Sequence, residues 1–121
     1  MPDQAAELLV AGAAEWRSWL AAHVDQQVGV WLVLAKKGAT APTSLSYDDA
    51  LDEAIAHGWI DGLVGRRDAA TYRQRFTPRR RRSNWTARNA ERAEGLTRAG
   101  RMHPAGLAEV ERAKAGGRWP A

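Results

Sequence analysis

The chain has 121 residues, 45% of them hydrophobic and 26% charged, which is the size and composition of one globular domain rather than of a disordered segment. It contains no cysteine, which excludes disulfides, thiolate metal sites and cysteine nucleophiles. The net charge of +4 is uneven: residues 1–61 carry 3 Lys/Arg and 9 Asp/Glu, whereas residues 62–121 carry 15 and 5. The basic half favours an anionic partner.

Hydrophobic patterning predicts three elements near the N-terminus. Residues 7–11 are a short apolar run that fits a strand or the first turns of a helix, and we favour the strand. Residues 13–23 predict an amphipathic helix because Trp16, Trp19 and Leu20 recur at helical spacing. Residues 29–35 are rich in β-branched and aromatic side chains without alternation, which predicts a central strand covered on both faces.

The middle of the chain predicts a helix over residues 47–57 and then a hairpin. Ser46 can cap this helix, Asp48 and Asp49 suit the helix dipole in its first turn, and Gly58 provides a stop. Residues 59–66 and 72–77 predict two strands joined by a five-residue loop, with Pro78 ending the second strand.

The last third of the chain is predicted to be helical. One helix, capped by Ser83 or Thr86, runs to residue 99, and Pro104 opens another that ends near residue 116. The whole pattern predicts one α+β domain over residues 1–121, with a small, mainly antiparallel sheet of three to four strands packed with about four helices.

Strand alternation assigns the side chains of the hairpin to two faces. The apolar face is predicted to hold Ile60, Val64, Tyr72 and Phe76. The other face is predicted to hold Trp59, Asp61, Arg73, Arg75 and Thr77. Asp61 then lies roughly opposite Arg75, where it can orient Arg75 toward an anion, act as a general base, or form a structural ion pair, the commonest role of such a pair.

A second candidate feature is the basic run that precedes Trp85. The guanidinium groups of Arg79, Arg80, Arg81 and Arg82 beside an aromatic ring suit the binding of phosphates and of a stacked base. The pairs Lys36-Lys37 and Arg66-Arg67 can extend this basic surface. The alternative is a solvated connection in which Trp85 packs at the start of the next helix.

Metal and cofactor signals are missing from the sequence. His23, His57 and His103 have no metal-ligand spacing and suit helix ends, and no phosphate-binding glycine loop or nucleophile elbow occurs. We therefore expect no metal, no cofactor and no assignable catalytic residue. No apolar run approaches ~20 residues and the N-terminus is acidic, so we expect a cytoplasmic protein without membrane insertion.

Several motifs in one order resemble the YdeI/OmpD-associated family. They are Trp19-Leu20-Ala21-Ala22-His23, Gly29-Val30-Trp31-Leu32, Ala35-Lys36-Lys37-Gly38, Tyr47-Asp48-Asp49-Ala50-Leu51, Gly58-Trp59-Ile60-Asp61-Gly62, Gln74-Arg75-Phe76-Thr77-Pro78-Arg79, Ser83-Asn84-Trp85, Gly100-Arg101-Met102 and Pro104-Ala105-Gly106. Similar proteins continue past the segment matching residues 117–119 with a basic helical region, so the resemblance implies either a truncated chain or a short natural member of the family.

The resemblance implies a bacterial cytoplasmic protein of stress tolerance and bacteriocin protection, without an agreed reaction. It also implies a candidate shared surface or pocket at Lys36, Trp59, Asp61, Arg75, Thr77, Pro78, Arg79 and Trp85. The leading hypothesis is a module that binds an anionic small molecule or a protein partner, with Arg75 and Arg79 on the anion, Asp61 orienting Arg75, and Trp85 as an apolar wall.

Two other hypotheses remain open. The first is sequence-tolerant RNA or DNA binding through Arg79 to Arg82 with Lys36 and Lys37, which predicts strong salt dependence. The second is an enzyme that uses Asp61 as acid or base, for which the sequence specifies no substrate.

Overall fold

The computed structural model describes residues 6–120, which form four strands and four helices. In chain order these elements are β1 (Glu7–Leu8), α1 (Ala13–Ala22), β2 (Val30–Ala35), α2 (Tyr47–Ala56), β3 (Trp59–Arg66), β4 (Thr71–Pro78), α3 (Ala87–Arg98) and α4 (Pro104–Ala115). The predicted elements are therefore confirmed, with ends that differ by a few residues.

The helix ends are set by local hydrogen bonds. Ser46 Oγ accepts a bond from the Asp49 amide at 3.2 Å, and Thr86 Oγ1 accepts one from the Asn89 amide at 3.1 Å. Thr86, not Ser83, therefore caps α3. Gly58 follows α2 with φ 83°, a conformation in which a side chain is strained.

The sheet has the strand order β1-β2-β4-β3. β1 pairs with β2 in parallel, and the β2–β4 and β4–β3 pairs are antiparallel. The fold is α+β with a mostly antiparallel sheet, as predicted.

The predicted faces of the hairpin are wrong for Trp59, Ile60 and Asp61, whereas Val64 shares the face of Phe76 as predicted. Asp61 pairs with Phe76 rather than Arg75, so Trp59 and Asp61 lie on the face of Phe76 and not beside the arginines. The register then shifts, because a bulge separates Asp61 from Val64, which pairs with Gln74. One extra residue in a strand moves every side chain on one side of the bulge to the opposite face of the sheet. The alternation of polar and apolar residues cannot by itself locate such an extra residue.

Two hydrophobic clusters form the core. The first lies between α1, α2 and the sheet face of Phe76, where Trp16 contacts the rings of Trp59 and Phe76. The second joins α2, α3 and α4 around Ile55, Trp85 and Leu96. Among residues 6–120, the four helices are all too short or too polar to cross a membrane.

Candidate functional site: an arginine-lined cleft

A cleft of about 780 Å³ opens where β2 begins and β4 ends. Its wall comes from four segments: the connection before β2, the end of β4, the residues after β4, and α4. It is lined by Gln27, Val28, Gly29, Arg75, Thr77, Pro78, Arg79, Arg80, Arg81, Glu109 and Arg112. Five arginines and one carboxylate thus surround one concave surface, which we call the arginine cleft.

Gly29 allows the two sides of the arginine cleft to approach each other. A Cβ atom at this position would lie 2.5 Å from the Phe76 carbonyl oxygen and 3.0 Å from Nη1 of Arg75. Any other residue would push the start of β2 away from β4 or displace the Arg75 guanidinium. The absence of a side chain at Gly29 therefore positions Arg75 at the inner edge of the cleft.

Arg79 is the most buried arginine of the cleft, with 7% of its surface exposed. Its guanidinium carbon lies 3.6 Å from the centre of the Trp85 ring, and Nη1 donates to Ser83 Oγ at 2.7 Å. Nε and Nη2 are buried without a hydrogen-bond partner among residues 6–120. Burial lowers the pKa of Arg79 to about 10, although Glu109 and Asp61 act in the opposite direction. Arg79 is thus still a cation at neutral pH.

The outer part of the arginine cleft carries more exposed charge. Arg80 and Arg81 are exposed, and Arg112 of α4 donates to the carboxylate of Glu109 one turn earlier. The carboxylate of Glu109 therefore neutralises mainly the charge of Arg112, and the wall of the cleft keeps an excess of positive charge.

Asp61 does not line the cleft. Its Oδ2 accepts a 2.7 Å hydrogen bond from the Tyr47 hydroxyl and lies 3.5 Å from Nε2 of Gln74. Burial and this hydrogen bond raise the pKa of Tyr47 to about 12, so the phenol keeps its proton at neutral pH and remains the donor. The contact fastens α2 to β3. It gives no support to the hypothesis that Asp61 is an acid or base.

The structure brings together only part of the predicted set. Arg75, Thr77 and Arg79 line the cleft, and Trp85 supports Arg79 from behind. Trp59 is 1% exposed in the first core cluster. Lys36 lies at the other end of β2, where Nζ donates to the Asp68 carbonyl at 2.7 Å.

The structure separates the two lysines from the basic run. Arg79, Arg80 and Arg81 line the cleft, and Arg82 lines an adjoining small depression that shares Arg80 with the cleft. Lys37 is exposed in the turn after β2, at the opposite end of that strand from the cleft. The predicted nucleic-acid surface is therefore not one continuous patch.

Sequence reasoning missed the contributions of Glu109, Arg112 and the connection before β2. No motif marks them, because Glu109 and Arg112 reach the cleft through the packing of α4 against α2, and the connection before β2 reaches it through the pairing of β2 with β4. The stacking of Arg73 and Arg75 on Trp31 was also missed, because it depends on the pairing of β2 with β4, which no local pattern specifies.

The described part of the chain holds no cluster of three His, Asp or Glu side chains of the kind that binds a metal ion. His57 and His103 do come together, with ring centres 4.9 Å apart, but each has one ring nitrogen in a hydrogen bond to the backbone. Both, like His23, stand at helix ends, as the sequence predicted.

Comparison with known proteins corrects the family assignment. No curated protein and no solved structure matches the chain. The resemblance to the YdeI/OmpD-associated family is wrong, because the family model that matches is a different one, and the bacteriocin-protection and stress-tolerance roles rested on that resemblance alone. The matching model covers residues 8–109, and the chain therefore belongs to the family described as a domain of unknown function, DUF8412.

Proposed function

We propose that this domain binds a small anionic ligand, with a phosphate-like group seated in the arginine cleft. The observation that carries the proposal is the burial of Arg79, whose Nε and Nη2 have no hydrogen-bond partner among residues 6–120. Buried N–H groups of a charged side chain that lack hydrogen-bond partners are costly, and strongly perturbed charged groups of this kind concentrate at functional sites. An anion in the cleft offsets this cost.

The charge and shape of the cleft support the same ligand class. Five arginines lie around a volume of about 780 Å³, which is in the usual range for small-molecule sites. Guanidinium groups present paired N–H donors that match phosphate oxygens, and concave walls strengthen the field of the charges that line them.

A comparison of adjacent arginines tests the proposal. We expect inorganic phosphate to raise the melting temperature of the wild-type protein, since a ligand that binds the folded state stabilises it. Arg81→Ala should weaken phosphate binding about tenfold, because one charge-assisted hydrogen bond is lost. Isothermal titration calorimetry at low salt measures the dissociation constant directly.

Arg82→Ala is the matched control, because Arg82 is the next residue, is also exposed and does not line the cleft. It should bind phosphate within about twofold of the wild type. Equal losses in the two variants would contradict the cleft and indicate a diffuse basic surface. Absence of any phosphate, sulfate or carboxylate binding by the wild type would also reject the proposal.

A further inference from the structure

The sheet face that carries Trp31 is a second surface of unusual chemistry. Trp31 pairs with Arg75 across β2 and β4, so the two residues share the face opposite Phe76. The guanidinium carbons of Arg73 and Arg75 lie 4.7 Å and 5.8 Å from the centre of the Trp31 ring. We call this group of one indole ring and two guanidinium groups the Trp31 platform.

The Trp31 platform is continuous with the arginine cleft. Arg75 belongs to both, and Gly29 in the cleft wall is two residues before Trp31 in the chain. Two residues of a strand span about 7 Å, a distance that one extended nucleotide unit can cover. A ligand whose phosphate lies in the cleft can therefore place its base on the platform.

On this basis, which rests on the proposed function, we infer that the ligand is a nucleotide unit of single-stranded nucleic acid, with its phosphate in the arginine cleft and its base stacked on the Trp31 platform. Bases stack on tryptophan rings and on guanidinium planes, and phosphates bind arginine. A single strand is required because the faces of paired bases are covered by their neighbours in a duplex.

The charge around the platform agrees with this ligand. Arg73 contacts Glu7 at 3.8 Å through Nη1, but its Nε is buried without a hydrogen-bond partner in the described residues. Glu7 itself is held at 2.9 Å by Arg67. The Glu7 carboxylate is thus shared between Arg67 and Arg73.

The route of the strand differs from the surface that the sequence suggested. It runs from Arg80 and Arg81 through Arg75 to Trp31, and it does not need Lys36 or Lys37. Exchange of Lys37 therefore serves as a control for general charge effects.

The test measures binding of a short fluorescein-labelled oligothymidylate by fluorescence anisotropy, with adenosine monophosphate and inorganic phosphate titrated in parallel. Trp31→Ala should weaken oligonucleotide binding about 5- to 100-fold, as expected for the loss of one stacked base, and leave phosphate binding unchanged. Trp31→Phe should restore most of the affinity, and Lys37→Ala should change it less than about threefold. Adenosine monophosphate can instead bind as tightly as the oligonucleotide, with the same dependence on Trp31. In that case the ligand is a free nucleotide that uses the same contacts.

Two results overturn the inference. One is that wild-type protein binds phosphate but binds neither nucleotide probe more tightly, which leaves the proposed function intact. The other is that Trp31→Ala binds the oligonucleotide as tightly as the wild type while Arg81→Ala does not. Failure of the wild-type protein to bind phosphate is a separate result, and it rejects the proposed function.

Discussion

His57 is a buried histidine whose protonation opposes folding. It is 5% exposed, its Nδ1 lies 2.7 Å from the Glu53 carbonyl, and its ring stacks on His103. Burial lowers the pKa of His57 below the ordinary value of 6.5, and the charges of His103 and Arg17 act in the same direction, whereas the bond and charge of Glu53 oppose them. The neutral ring is therefore the form that the folded protein favours.

This environment predicts that the protein loses stability in mildly acidic solution. Because the pKa of His57 is lower in the folded protein, the unfolded chain takes up the proton first as the pH falls. The contribution of neutral His57 to the free energy of unfolding is therefore complete above pH 6.5 and is lost as the pH falls from there through the folded-state pKa. We expect the free energy of unfolding in urea to decrease between about pH 7.5 and pH 5, and His57→Gln to reduce that slope. Identical pH slopes in the two proteins would contradict this assignment.

Individual side chains of the site were only partly predictable from sequence. Arg75 and Arg79 stand beside strand and turn signals that define their place, so both were identified. Asp61 was misplaced because the bulge reverses its facing, and Tyr47 was not considered as its partner although the two are only fourteen positions apart. The alternation of polar and apolar residues predicts the regular periodicity of a strand, but it does not predict where a bulge interrupts that periodicity.

Among the elements, α4 owes its place to a close contact with the end of α2. Gly106 lies against the Ala56 carbonyl, and a Cβ atom there would overlap that group. The His103 amide also donates to the Ala56 oxygen at 2.9 Å. This contact holds α4, and with it Glu109 and Arg112, beside the arginine cleft.

Substitution by alanine is therefore expected to change the stability of the protein in opposite directions at the glycines of α3 and α4. Gly106→Ala should destabilise the protein by about 1–3 kcal/mol, because the overlap is with backbone that cannot rotate away. Gly95→Ala should stabilise it by about 0.5–1 kcal/mol, because its nearest neighbour would be the end of the Arg98 side chain at 3.8 Å and alanine favours helix. Urea denaturation of the two variants measures the difference, and equal effects would reject this explanation.

Element positions were predictable because each has local signals. The caps Ser46 and Thr86 and the stop at Gly58 lie in the sequence itself, and the helical spacing of Trp16, Trp19 and Leu20 needs no tertiary information. The pairing of β2 with β4 and the docking of α4 depend on contacts between distant segments, so the cleft that they create could not be read from the chain.

At the scale of the whole molecule, the acidic and basic halves of the sequence are joined by ion pairs. Arg92 of α3 binds Asp48 and Asp52 of α2 at 2.8 Å each, and Arg67 binds Glu7. These contacts use the acidic residues of the first half to fasten the second half. The positive excess that remains is concentrated at the arginine cleft.

Glu53 is the central member of this cross-linking. Its side chain is 4% exposed and binds Arg17 of α1 at 2.9 Å and Arg101, between α3 and α4, at 3.1 Å. Glu53→Gln should cost about 1–3 kcal/mol of unfolding free energy, because two charge-assisted hydrogen bonds are weakened in a buried position. Glu91→Gln, at an exposed position of α3, should change it by less than about 0.5 kcal/mol. Thermal and urea unfolding measure both, and a Glu53 variant as stable as the Glu91 variant would show that the pairs are dispensable.

The bulge that misled the assignment of Asp61 has another consequence. It interrupts β3 at an edge of the sheet, next to Leu63 and Val64, which are 76% and 64% exposed. At the opposite edge β1 contributes only two residues. A bulged edge and a very short edge are both poor templates for an incoming strand, so the sheet resists growth by edge-to-edge addition despite these exposed apolar side chains. The domain can therefore be concentrated, as the binding experiments require, with little tendency to form intermolecular β-structure.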